Sequence, residues 1–206
     1  MQPAVRSAWR SFDQPFEGLA SWMYLDIKGL VTTGMGNLID PLPAALALPW
    51  QNADNERAAE DVVTAEWTRI KDNAALAHQG AQAARAVATL HLADADIDAL
   101  ILRRLDADEA IVKAYPAFAR FDEWPADAQL GVMSMAWAMG AGFGPHFPHF
   151  SHACAAGDFT TAASDCEMQA SANPALARRN AADRQAFLLA ASATDPAVLL
   201  SHIPPF

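Results

Sequence analysis

Apolar residues recur every three or four positions along most of the chain, a spacing that is typical of amphipathic helices. The expected helices cover residues 3–13, 56–76, 94–115, 126–140, 147–156, 159–168 and about 173–191. The segment 126–140 is apolar nearly all round and ends in glycine, which predicts a buried central helix with a glycine C-cap. Pro15 interrupts the first helical pattern, so we expect a separate helical turn to carry Glu17.

A short stretch with strand character follows Glu17. Residues 22–25 and 30–33 are rich in aromatic and β-branched side chains, which predicts two strands. Gly29 lies between them and tolerates the positive φ that a tight hairpin needs. The expected fold class is therefore α+β and mainly α, with a small N-terminal β-hairpin lobe and a helical C-terminal lobe around the central helix.

Composition and charge narrow the classes of function. The chain has 206 residues, of which 52% are hydrophobic, and a formal net charge of −10. This acidic balance argues against nucleic-acid binding, which favours a basic surface. No apolar run reaches the roughly 18 residues of a membrane helix, and no secretory signal is visible near the N-terminus. We therefore expect neither a nucleic-acid nor a membrane partner.

Two carboxylates and a hydroxyl stand at fixed spacing around the predicted hairpin. Asp26 follows Glu17 by nine positions, and Thr32 follows Asp26 by six. A helix end followed by a hairpin can place two acids on opposite walls of one cleft. Hydrolysis of a glycosidic bond requires such a pair, one acid to protonate the leaving oxygen and one carboxylate on the other face of the sugar.

At these residues the chain resembles the phage-type lysozymes, the endolysin muramidases of glycoside hydrolase family 24. Their signature is a Glu-Gly pair, an acid nine positions after the Glu, and a Thr six positions after that acid. Here these places are filled by Glu17-Gly18, Asp26 and Thr32, followed by a similar Gly-x-Gly at Gly34 and Gly36. Later segments that resemble the family are the central helix at 134–140, the turn at 155–159 and the arginine-bearing last helix at 173–180.

The resemblance implies a single lysozyme-like domain over residues 1–206. Within it, 12–40 would form the catalytic helix end and hairpin, and 93–192 the helical lobe. Residues 41–92 are longer and more helical than the corresponding part of a minimal family member, so we interpret them as an elaboration.

The resemblance also implies an activity. The expected enzyme is an inverting N-acetylmuramidase that cleaves the β-1,4 bond between N-acetylmuramic acid and N-acetylglucosamine in peptidoglycan. Glu17 would be the general acid, in an apolar setting beside Phe16 and Leu19 that favours its protonated form. Asp26 would be the general base that activates water, and Thr32 would hold that water or the substrate.

Further residues are expected to bind substrate or support the site. These residues are Tyr24, Gly36, Asn37 and Arg179, with Arg178 as the alternative to Arg179. An arginine of the last helix in this family commonly orients the catalytic glutamate. His146, His149 and His152 recur every third residue, but the intervening prolines break a shared helical face, so we expect neither a metal nor a cofactor.

Several alternatives stay open at this stage. A lytic transglycosylase would cleave the same bond without Asp26, a non-catalytic glycan-binding module would keep only the fold, and a related hydrolase would act on chitin-like glycans. We expect a monomer, made in the cytoplasm, that acts on glycan strands in the periplasm or at the cell wall after release or delivery. Two questions stay open. One is whether an immunity protein or a secretion apparatus is a partner, and the other is whether Cys154 and Cys166 form a disulfide. The net negative charge disagrees with an activity on the cell wall, because the wall is also anionic and repulsion should slow their encounter.

Overall fold

A computed structural model describes residues 1–170 and 174–201. Within them the fold is α+β and mainly helical, with one small antiparallel sheet, as expected from the sequence. The strands are β1 Ala20–Leu25, β2 Val31–Gly34 and β3 Asn37–Leu38, and the helices are α1 Pro3–Glu17, α2 Leu42–Leu46, α3 Glu60–Lys71, α4 Ala81–Arg85, α5 Asp94–Ala114, α6 Ala126–Met139, α7 Pro148–Ala156, α8 Phe159–Asp165 and α9 Pro174–Ser192. Short 3₁₀ helices cover Ala74–His78, Pro116–Phe118, Phe121–Glu123 and Gly144–His146. The sequence Asn173-Pro174 predicts an N-cap followed by proline at the start of the last helix, but Asn173 lies outside the described residues.

The chain divides into two compact units, one formed by Met1–Phe16 with Arg104–Phe206 and the other by Glu17–Arg103. Helix α1 belongs to the first unit except for its last residue, Glu17. In residues 1–170 and 174–201, no helix has both the length and the apolar character needed to cross a bilayer.

The first unit is built around α6, as the all-round apolar pattern predicted. Every residue from Ala126 to Trp137 is buried, and the helix packs against α9. The two helices approach closely because Gly131 faces the ring of Phe187, where a Cβ at position 131 would lie 2.7 Å from the nearest ring carbon. Gly140 ends the helix at a φ of 90°, which confirms the expected glycine C-cap.

The second unit carries the sheet. Strands β1, β2 and β3 are antiparallel in that order, and Tyr24 of β1 pairs with Thr32 of β2. Helix α4 and the 3₁₀ helix at residues 74–78 pack against β1, and α3 packs against α2 and β1. The predicted hairpin is confirmed, whereas the two-residue strand β3 is too short for the sequence pattern to indicate.

The expectation that the first helix stops before Pro15 is wrong. Helix α1 runs through Pro15 to Glu17, because the proline lies in the last turn, where it removes one hydrogen bond and the apolar stripe continues to Phe16. The ring of Phe16 packs edge-on against Phe12 with centroids 5.6 Å apart.

The helix expected over 56–76 is shorter than predicted. Residues before Glu60 form a loop in which Gln51 bridges to Arg57, and the chain after Lys71 continues as the 3₁₀ helix. Gln51 also bridges to His91, so the chain is locally extended there.

Candidate active site

Glu17 is the last residue of α1 and its side chain is exposed. Gly18 follows with a φ of 73°, a left-handed conformation that ends the helix and turns the chain into β1. Glu17 lines a cavity of about 270 Å³ together with Tyr24 of β1 and Gly34 of β2. The structure therefore brings the predicted acid and two hairpin residues around one cavity.

The surroundings of Glu17 differ from the apolar setting expected from its sequence neighbours. Glu17 itself is exposed, and Leu19 is only half-buried on the same cavity. Phe16 faces the guanidinium of Arg179, whose central carbon lies 4.7 Å from the ring centroid. A helix end directs consecutive side chains apart, so adjacency in sequence did not produce an apolar pocket.

Asp26 lies at the turn of the hairpin, where its carboxylate is firmly oriented. Its Oδ1 accepts the backbone N–H groups of Lys28 at 2.8 Å and Leu30 at 2.9 Å. The turn is closed by a bond from the Gly29 N–H to the Asp26 carbonyl, and Gly29 has a φ of 74°. Asp26 thus stabilises the turn, and both of these bonds use the same carboxylate oxygen. Among the described residues, Asp26 and Thr32 do not line the Glu17 cavity.

Thr32 is buried within the sheet. Its hydroxyl donates a hydrogen bond to the Leu30 carbonyl at 3.1 Å, and the residue is 4% exposed. The bond consumes the hydroxyl proton and leaves the oxygen as an acceptor. The Thr32 hydroxyl is therefore bonded within its own chain segment, between the turn that carries Asp26 and strand β2.

Gly36 and Asn37 shape the second turn of the sheet. Gly36 has a φ of 75°, and the Asn37 side-chain oxygen accepts the Met35 N–H at 3.2 Å. The same oxygen lies 2.6 Å from where a Cβ on Gly34 would stand, so the turn requires glycine there. These contacts give both residues a supporting role in the hairpin.

Arg179 is buried in the first unit, where its Nη1 lies 2.7 Å from Oδ1 of Asp13. Nη1 also donates to the hydroxyl of Ser134 at 3.1 Å and to its carbonyl at 3.3 Å. Arg178, the alternative, is exposed. Arg179 therefore contacts two residues of α1, Asp13 and Phe16.

A second buried acid, Asp183, interacts with Ser134, Arg179 and Asp13. Asp183 is fully buried, and burial raises its pKa to about 7, while Ser134 and Arg179 favour the charged form and Asp13 opposes it. Sequence reasoning missed Asp13 and Asp183. The available signals were the place of Asp13 within the apolar stripe of α1 and the spacing of four between Arg179 and Asp183.

The histidine and cysteine patterns lie away from Glu17 in the chain and belong to the first unit. His149 and His152 line a separate cavity of about 290 Å³, and in the part of the chain that is described no three His, Cys, Asp or Glu residues are grouped to hold a metal. Cys154 and Cys166 are both buried free thiols. Burial raises the pKa of each, that of Cys166 to about 12, so neither is a ready nucleophile.

No protein-family model matches the chain, and no curated protein sequence is significantly similar to it.

Proposed function

We propose that the protein is an N-acetylmuramidase that hydrolyses the β-1,4 bond between N-acetylmuramic acid and N-acetylglucosamine in peptidoglycan, with inversion. The observation that carries the proposal is the Glu17-Gly18 pair at the exposed end of α1, lining a cavity with residues of the hairpin that bears Asp26. Peptidoglycan glycan strands at the cell wall are the proposed partner.

In this mechanism Glu17 donates its proton to the glycosidic oxygen as the bond to C1 breaks. Asp26 accepts a proton from the water that attacks C1 from the opposite face. The two N–H groups that bind Oδ1 of Asp26 orient the carboxylate and leave Oδ2 as the candidate base atom. The products are two shorter glycan strands, one of which carries a new reducing end of inverted configuration.

The proposal is tested with purified peptidoglycan and the wild type beside Glu17→Gln. The amide keeps the shape of the side chain and removes the acidic proton, so turnover is expected to fall by about 10²–10⁴-fold. Glu60→Gln, at an exposed glutamate that opens α3, is the matched control and is expected to keep full activity. Equal activity of wild type and Glu17→Gln would contradict the role of Glu17.

A lytic transglycosylase is the second candidate, and a specific observation favours it. Asp26 already serves the hairpin turn through Oδ1, which explains its presence without catalysis. A transglycosylase needs only the acid, because the sugar's own hydroxyl replaces water and forms an anhydro end. Asp26→Asn separates the two candidates: it abolishes hydrolysis and leaves transglycosylation nearly unchanged.

A further inference from the structure

The cavity that Glu17 lines has a second wall made by residues far from Glu17 in sequence. Gln79, Gly80, Ala81 and Gln82, from the end of the 3₁₀ helix and the start of α4, line it together with the end of α1 and the hairpin. These residues belong to the stretch 41–92, which the resemblance to minimal lysozymes does not cover.

This wall is fixed to strand β1 by one aromatic side chain. The indole N–H of Trp22 donates to the Ala81 carbonyl at 2.8 Å, and the Arg85 guanidinium lies 5.4 Å from the Trp22 ring centroid. Gly80 has a φ of 77°, which makes the sharp turn into α4, and Ala84 is fully buried beneath it. The position of the wall is therefore set by the same sheet that carries Tyr24.

The wall presents two side-chain amides. Gln79 and Gln82 are exposed, and neither side chain hydrogen-bonds to another described residue. Each amide offers two donor hydrogens and an acceptor oxygen, which suits the hydroxyl and acetamido groups of an amino sugar. Tyr24 adds an aromatic ring to the same cavity, a surface on which the apolar face of a sugar can pack.

The charge and size of the cavity restrict the chemical class of ligand that it can bind. Among the described residues, no lysine, arginine or histidine lines it, and Glu17 is its one ionisable carboxylate. A lactyl carboxylate, as in muramic acid, would find no cation to pair with in this cavity, whereas N-acetylglucosamine is neutral and needs none. The volume of about 270 Å³ lies just below the range of about 300–1,000 Å³ for small-molecule sites, which fits one sugar ring.

We propose that Gln79 and Gln82 bind the N-acetylglucosamine ring next to the scissile bond, so that the 79–82 segment is a specificity-determining wall of the site. This inference rests on the proposed function, because it takes Glu17 as the acid beside that ring. Both glutamines act by positioning the sugar and take no part in proton transfer.

The test compares Gln79→Ala/Gln82→Ala with the matched control Gln14→Ala/Gln185→Ala, which changes two exposed glutamines outside this cavity. Two readouts are used: steady-state cleavage of soluble peptidoglycan fragments, and calorimetric binding of tri-N-acetylchitotriose, a neutral probe. The first variant is expected to raise KM about tenfold with kcat unchanged, and to weaken binding of the probe about tenfold, from the loss of two hydrogen bonds. The control is expected to match wild type, and thermal unfolding is expected to be the same for all three proteins.

Each other outcome is decisive. If wild type cleaves peptidoglycan and Gln79→Ala/Gln82→Ala keeps the wild-type KM and affinity for the probe, the proposed role of the two glutamines is wrong and the proposed function stands. If wild type binds the probe more tightly than Gln79→Ala/Gln82→Ala but cleaves nothing, the sugar-binding role of the glutamines stands and the muramidase proposal fails. If wild type neither binds nor cleaves, both are overturned.

Discussion

Asp183 makes the stability of the protein depend on pH in a direction that its burial predicts. Burial raises its pKa from an ordinary value of 3.8 to about 7, although Ser134 and Arg179 partly offset the effect. Between these two values the unfolded chain releases the proton and the folded chain keeps it. Stability therefore falls as pH rises from about 4 to about 7 and is constant in this respect outside that window.

The magnitude follows from the size of the change in pKa. At about 1.4 kcal/mol per pKa unit, moving from 3.8 to about 7 corresponds to about 4 kcal/mol in the free energy of unfolding. Above about pH 7 the negative charge on Asp183 is buried, opposed by Asp13 and favoured by Arg179 and Ser134. Asp183→Asn removes this ionisable group and leaves the contact between Asp13 and Arg179 in place.

Urea unfolding at a series of pH values between 4 and 8 measures this effect. We expect Asp183→Asn to unfold with nearly the wild-type free energy at pH 4 and to exceed it by up to about 4 kcal/mol at pH 8. Asp165→Asn, a partly exposed acid at the end of α8, is the control and should track wild type. A difference between Asp183→Asn and wild type that does not change with pH would refute the reasoning.

Three further predictions concern other parts of the molecule. Gly131→Ala places a methyl group 2.7 Å from the Phe187 ring, so we expect the free energy of unfolding to fall by about 1–3 kcal/mol; Gly142→Ala, where the space is open, is the control. Glu66 is 2% exposed and accepts the N–H groups of Thr89 and Leu90, so Glu66→Ala should cost about 3 kcal/mol in urea unfolding, and Glu56→Ala on the surface much less. Because the net charge is −10 and the cell wall is anionic, we expect turbidity clearance to quicken as sodium chloride rises from about 10 to 150 mM; slowing over this range would indicate a local basic docking surface.

Much of the fold was predictable because its elements obey local rules. Helix α6 is apolar nearly all round and ends in glycine, and the β1–β2 hairpin combines strand-forming residues with a glycine turn. The boundaries of α1 and α3 were not predictable in the same way. The packing of Phe12 against Phe16 stabilises α1 beyond Pro15. The bridge between Gln51 and Arg57 keeps the chain extended there, so α3 begins later than predicted.

The arrangement of the candidate site was predictable where its residues are close in sequence. Glu17 and the hairpin lie within one short stretch, so their proximity follows from local turns. Gln79 and Gln82 reach the same cavity through a tertiary contact, the hydrogen bond from Trp22 to Ala81. Asp13 and Asp183 were missed because acids normally mark the solvent face of a helix, whereas here Arg179 compensates them inside the protein.

The most direct test of the proposed function is proton NMR of the new sugar ends released during the first minutes of peptidoglycan digestion. An inverting hydrolase acting on a β-1,4 bond forms the α-anomer first, before mutarotation. We expect wild type to release α-anomeric reducing ends and both Glu17→Gln and Asp26→Asn to release no detectable ends within these minutes. Anhydro ends from wild type and Asp26→Asn alike would contradict hydrolysis and establish the transglycosylase instead.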